Sequence, residues 1–249
     1  MSALSIDQSP QPYEITSHEG LEFADVDTLI ERTKTEIPPL TAEKIAAIDQ
    51  LDEFGASGDK SKATETAFVV GVLSGVKPST IIYRDRLGDV SDQGRFDDTL
   101  EKLDLSHVTY MSFGHEINII SRHPEIADAL VQALDIRAVD SDVAHRRIGQ
   151  LLGYPETATD YFIERLSTLD TTDELPRVDK TDLGELEHFS QLILSPEHYE
   201  DEIAAYVRPL ADSVHVLAPK TYELLTGSEK SKQTRRHKIG SAVVKQVKK

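Results

Sequence analysis

The side chains with the most chemical potential fall in a few short clusters, and none has the spacing of a complete catalytic set. His145, Arg146 and Arg147 lie in the run SDVAHRRIGQLLGYP. At helical spacing His145 shares a stripe with Ile148, Gly149 and Leu152, and Arg146 points elsewhere. Two arginines near a helix end could fork a phosphate or carboxylate. They could equally pair with surface acids such as Asp142 and Glu156. Gly149 on that stripe permits close approach of another backbone or a ligand. His115, Glu116 and His123 form a second group. A metal needs three or four converging ligands, and neither HExxH nor HxH spacing occurs, so no metal site is expected.

Ser195 and His198 suggest a nucleophile and base, but no GxSxG elbow is present. Ser195 before Pro196 and Glu197 reads instead as a helix cap. Lys77-Pro78-Ser79-Thr80 falls between a helix and a strand, the reverse of the order that cradles phosphate, and no GxxxxGK[ST] or GxGxxG occurs. Asp85, Asp89, Asp92, Asp97 and Asp98 form an acidic loop without the spacing of an EF-hand. No catalytic residue and no cofactor is assigned. The ligand-binding candidates are His115, His145, Arg146, Arg147 and Tyr154, around a pocket between a hairpin and the helices of 141–166.

The elements that must position these groups follow from pattern. Thr41 caps a helix carrying Ile45, Ile48, Leu51 and Phe54, and residues 55–62 read as a polar linker. The stretch 63–75 is apolar nearly all round and should be a buried helix. STIIYR (79–84) reads as a strand, and 85–95 as a loop before a helix near 96–103. HVTYMSF (107–113) and EINIIS (116–121) flank a two-residue turn at Gly114–His115. Helices are expected over 124–134, 141–152, from Pro155, and over 182–192 and 197–226, the last broken at Pro209 and Pro219. Tyr13–Ile15 could begin a short strand. The fold class is therefore α+β, mostly helical, with a small antiparallel sheet (hairpin about 107–121) packed by helices. The expected divisions are an N-terminal region 1–59, a main domain 60–227 and a basic tail 228–249.

Composition bounds the rest. The 249 residues carry a net charge of −17 and no cysteine, which excludes disulfides, thiolate metal sites and cysteine nucleophiles. The tail holds Lys230, Lys232, Arg235, Arg236, Lys238, Lys245, Lys248 and Lys249 against one acid, Glu229. That is a net +7, so residues 1–227 carry −24. An acidic, lysine-poor body suits a salt-rich cytoplasm such as that of a halophilic archaeon, where the Debye length falls to about 3 Å at 1 M salt. The N-terminus lacks a basic and an apolar segment and is not expected to be a secretory signal. No apolar run is long enough to span a membrane. In the tail, Ile239, Ala242, Val243 and Val247 make a short amphipathic stripe that could dock on a protein partner or on the acidic body. Its lysines and arginines could also neutralise nucleic-acid phosphates, but high salt weakens that attraction and the tail has no aromatic residue to stack on bases.

Three segments, FVVGVLSGVKPST (68–80), MSFGHEINIIS (111–121) and HRRIGQLLGYPETATDYF (145–162), resemble the archaeal proteins of domain-of-unknown-function family 483. The resemblance spans about 68–225 and implies the same fold, with a G-x-KP turn and a later LGYP corner. It also implies a Cys pair just after LGYP, where this chain has Thr157 and Ala158. Any metal or redox work done by such a pair is closed to it. The expected function is a non-enzymatic binding or regulatory module. The alternatives are a small-ligand-binding protein or enzyme using the pocket above, and a nucleic-acid-associated protein using the tail.

Overall fold

The computed structural model describes residues 23–137, 141–168, 176 and 178–227, and the side chains of all of these except 23–25 and 180–181. The 1–22 lead-in, the strand expected near Tyr13 and the basic tail 228–249 lie outside the described residues. The fold is mostly helical α+β. Helices α1 (Phe23–Thr35), α2 (Ala42–Ala56) and α3 (Lys60–Leu73) precede strand β1 (Ser79–Tyr83). A 3-10 turn leads to α4 (Val90–Lys102), the hairpin β2 (Ser106–Ser112) and β3 (His115–Ser121), then α5 (Pro124–Ile136), α6 (Ser141–Leu152) and α7 (Glu156–Thr168). The chain ends in a 3-10 segment (Lys180–Phe189), α8 (Tyr199–Glu202), a π turn (Ile203–Val207), α9 (Arg208–Leu217) and α10 (Pro219–Thr226).

The sheet has the order β1-β3-β2, antiparallel throughout, so the 115–121 strand is central. Alternation along β3 separates two cores. Ile117 and Ile119 pack with Ile126, Leu130 and Leu151 of α5 and α6. Ile120 faces the other way, into a larger core built from α2, α3, α4, α9 and α10. Ala47, Ile48, Leu51 and Phe54 of α2 belong to that core together with α3 and α10. The boundary expected at residue 59 therefore cuts through one packed unit.

Several local expectations shift. The hairpin turn is Phe113–Gly114, one residue earlier than expected, because Ser112 pairs with His115. Both turn residues have positive φ, 49° and 81°, as an I′ turn requires. Arg137 lays its guanidinium 4.4 Å from the Phe113 ring centroid. The polar stretch 55–62 is mostly helix, since Asp59 caps α3 by accepting from the Lys62 N–H at 3.1 Å. Asp89 does the same for α4, which starts inside the expected acidic loop. Ser195 is not a helix cap: its N–H donates to the buried Glu202 carboxylate at 2.8 Å, and α8 starts after His198. Pro209 does not break the last helix either. The Arg208 N–H bonds Ile203 O across the wider π turn, which places Pro209 in the first turn of α9, where no N–H is needed.

Asp52 of α2 anchors the far end of the chain. Its carboxylate accepts from the Thr221 N–H at 2.8 Å and the Lys220 N–H at 3.2 Å, so a distant side chain caps α10. Asp52→Ala strands two donors and should lower stability by about 2 kcal/mol in urea unfolding. An unchanged midpoint would mean that α10 is held by its apolar contacts alone.

Candidate functional site

Among the described residues Lys77 stands out, because its side chain is wholly buried. Its position follows from the local sequence. The all-round apolar α3 has to be covered on every face, and it stops at Ser74. The Lys77 N–H closes back onto Gly71 O at 3.0 Å, and Pro78 then starts the strand. This tight return lays the Lys77 stem over Gly71, where a methyl group would sit 2.9 Å from Cδ. The amine is thereby sent into the core, where it donates to the Tyr206 hydroxyl at 2.6 Å and to Gln191 Oε1 at 3.0 Å. The rings of Phe68, Tyr154 and Tyr206 surround it, with centroids 5.1–5.2 Å from Nζ.

Burial removes the hydration that a charged amine needs and pushes Lys77 down to about 7, against the pull of the Glu65 charge. Glu65 of α3, whose charge acts on Lys77, is its complement. Burial pushes that carboxyl up to about 7, and the hydrogen bond and charge of Arg86 only partly reverse this. Arg86 Nη1 donates to Glu65 Oε1 at 3.0 Å, and Glu65 Oε2 is enclosed without a hydrogen-bond partner. Burial also keeps the Tyr206 phenol protonated.

Beside this network lies an open cavity of about 450 Å³. Phe68, Tyr83 and Tyr154 give it aromatic walls, and Arg86, His188 and Gln191 give it polar groups. Gln191, Tyr154 and Phe68 are at once walls of the cavity and contacts of the Lys77 amine. One layer of side chains therefore separates amine from cavity. Arg86 stacks 4.4 Å from the Tyr83 ring centroid and is about half exposed. The His188 ring lies 3.0 Å from Lys60 Nζ and 2.9 Å from Glu187, and burial with the Lys60 charge lowers its pKa.

Of the five ligand-binding candidates, only Tyr154 reaches this cavity. His115 stands at the hairpin tip, edge-on to Tyr83 and 3.9 Å from Asp85. His145 sits edge-on to Phe162, where burial lowers its pKa. Arg146 pairs with Asp160, and Arg147 with Asp27 at 2.5 Å and Gln150 at 3.1 Å. The ion-pair reading holds for both arginines, with acids other than those expected. Gly149 admits the Thr159 side chain, whose Oγ1 would collide with a Cβ at that position. Thr157, at one of the positions where the family resemblance implies cysteine, donates to Glu202 at 2.7 Å, and Ala158 is core. His115 opens β3 and His123 lies two residues past its end, so a strand about 20 Å long at 3.3 Å per residue separates them. The cavity also lies elsewhere than expected, bounded by α3, β1 and residues 187–191 instead of the hairpin.

Sequence reading weighed Lys77 only as part of a phosphate turn and set it aside, and it missed Glu65, Gln191 and Tyr206. The one available signal was a lysine directly after a helix apolar on all sides. The structure also shows why GVKP and LGYP matter together: they touch. Gly153, at φ 75°, packs so closely on Pro78 that a Cβ would lie 2.7 Å from its Cδ, and the next residue is Tyr154. No helix among the described residues is long and apolar enough to cross a membrane. Comparison of the chain with family models, curated proteins and solved structures gave no match.

Proposed function

We propose that this chain is a binding module for a small planar organic ligand carrying one acidic group. The observation that carries this reading is the aromatic-walled cavity of about 450 Å³ where the GVKP and LGYP turns meet. Pockets of this size, mostly apolar with a few convergent polar groups, are the usual form of a small-molecule site. Tyr83 and Tyr154 supply flat faces, Arg86 an exposed guanidinium for the acid, and Gln191 an amide. The resemblance to domain-of-unknown-function family 483 supports the reading only in marking these two turns. A cytoplasmic, salt-rich setting rests on the −17 charge and the absence of cysteine. Docking of a protein partner on the 228–249 segment rests on its net +7 and its valine/isoleucine stripe, with nucleic acid the less favoured occupant.

Calorimetric titration with benzoate, at fixed salt, tests the pocket. Wild-type chain should bind, and Arg86→Ala should weaken binding about tenfold, the size of one charge-assisted hydrogen bond. Tyr154→Ala should weaken it similarly, whereas Arg146→Ala, remote from the cavity, should not. Equal binding by all four proteins would place the ligand elsewhere.

A further inference from the structure

We infer that the Lys77 amine captures a carbonyl-bearing ligand of this pocket as a covalent imine, which makes the ligand class an aromatic aldehyde or ketone with an acidic group. The inference rests on the pocket proposed above and adds a bond to it. Geometry supplies three requirements. The amine is next to the cavity, separated only by the Gln191 amide and the Tyr154 and Phe68 rings. Gln191 lies in a stretch without regular helix after Phe189, so its side chain is not clamped by helical neighbours and can turn aside. The Tyr206 hydroxyl, 2.6 Å from Nζ, is a phenol placed to hand over and recover a proton.

The chemistry balances without an added oxidant or reductant. The neutral amine attacks the carbonyl carbon, a C–N bond forms, and the C=O π pair passes to oxygen, which takes a proton relayed through Tyr206 while nitrogen loses one. The carbinolamine oxygen takes a second proton, again from the Tyr206 phenol, and leaves as water while the nitrogen lone pair forms the C=N bond; the resulting iminium gives its N–H proton back to Tyr206. An amine and a carbonyl thus give an imine and one water. A neutral amine is the prerequisite, and desolvation in an apolar pocket is a recognised way to obtain it. The groups facing Nζ are Phe68 and Glu65 from α3, Tyr154 from the LGYP corner, Tyr206 from the π turn, and Gln191. Glu65, whose charge favours the ammonium, is the one acid among them, and burial holds it half protonated near neutrality.

The test uses the full chain with 4-formylbenzoate at pH 7.5, borohydride trapping and peptide mass spectrometry. At that pH the neutral fraction of a lysine near 7 exceeds that of an exposed lysine near 10.4 by roughly 500-fold. The expected result is one label per chain on the peptide holding Lys77, with a labelling rate that rises through pH 7 and levels off. Lys77→Met should lose that label, and Gln191→Ala should gain it faster. Labels confined to exposed lysines such as Lys60, or Gln191→Ala labelling no faster than wild type, would overturn the inference. Benzoate binding that persists without a Lys77 label sinks covalent capture and leaves the binding module standing. Loss of both sinks both.

Discussion

Folding stability should pass through a minimum near pH 7, with one arm belonging to Glu65 and the other to Lys77. Below pH 7 the folded chain keeps a proton on Glu65 that the unfolded chain, titrating near 4.5, has already lost. The native state then binds more protons than the unfolded one, so stability falls as pH rises from about 4.5 to 7. Above pH 7 the inequality reverses. The unfolded chain holds the Lys77 proton up to about 10.5 and the native chain has released it, so stability rises over that window. At 1.36 kcal/mol per pH unit the acid arm is worth about 3 kcal/mol and the alkaline arm about 5 kcal/mol. Other carboxylates add their own slopes, so the signal is the difference between proteins. Urea unfolding from pH 5 to 10 should show the Lys77→Met difference growing on the acid side of pH 10 and flat below 7. Glu65→Gln should remove only the slope below pH 7. Parallel curves for wild type and Lys77→Met would show that the buried amine keeps its charge.

Gly153→Ala should be strongly destabilising. Position 153 has φ 75°, which an L side chain adopts only at a cost of about 1–2 kcal/mol. The new methyl would also lie 2.7 Å from Pro78 Cδ and 3.4 Å from Val76 O. Pro78 is rigid and followed by a buried strand, so it cannot step back cheaply. The combined loss should be about 3–5 kcal/mol in denaturant unfolding. Because Lys77 and Tyr154 are the neighbours of the two colliding residues, surviving folded protein should also lose benzoate binding. Gly227→Ala is the control: it too has positive φ, 67°, in the left-handed region, but open space around it. If the two variants lose the same stability, backbone strain explains everything and the turn-to-turn contact contributes nothing.

What sequence revealed and what it hid follows physical lines. Helices with a clear apolar face, such as 42–56 and 124–136, and strands of β-branched residues, such as 79–83 and 115–121, were legible because one periodicity determined each. Starts at Asp59 and Asp89 were hidden because an aspartate cap and a polar first turn look like loop until the following N–H groups are placed. The hairpin slipped by one because a phenylalanine at positive φ is rare, and Gly114 drew the turn toward His115. The site was hidden for a different reason. Lys77 meets Gln191 and Tyr206, more than a hundred residues away, and no local pattern encodes such a meeting. The histidine and arginine cluster at 145–147 attracted notice by composition, whereas the arginines pair with acids on other elements and His145 rests on Phe162.

The π turn at Ile203–Val207 gives the helix that runs from α8 into α9 one residue more than an α-helix of the same length would hold. Tyr206 lies inside that surplus. Deleting a single residue there would leave an uninterrupted α-helix, but would rotate what precedes it by about 100° against α9. The phenol would swing off the Lys77 amine while the helix itself remained intact. The chain thus keeps an irregular helix, and the irregularity is what gives its buried base a proton relay.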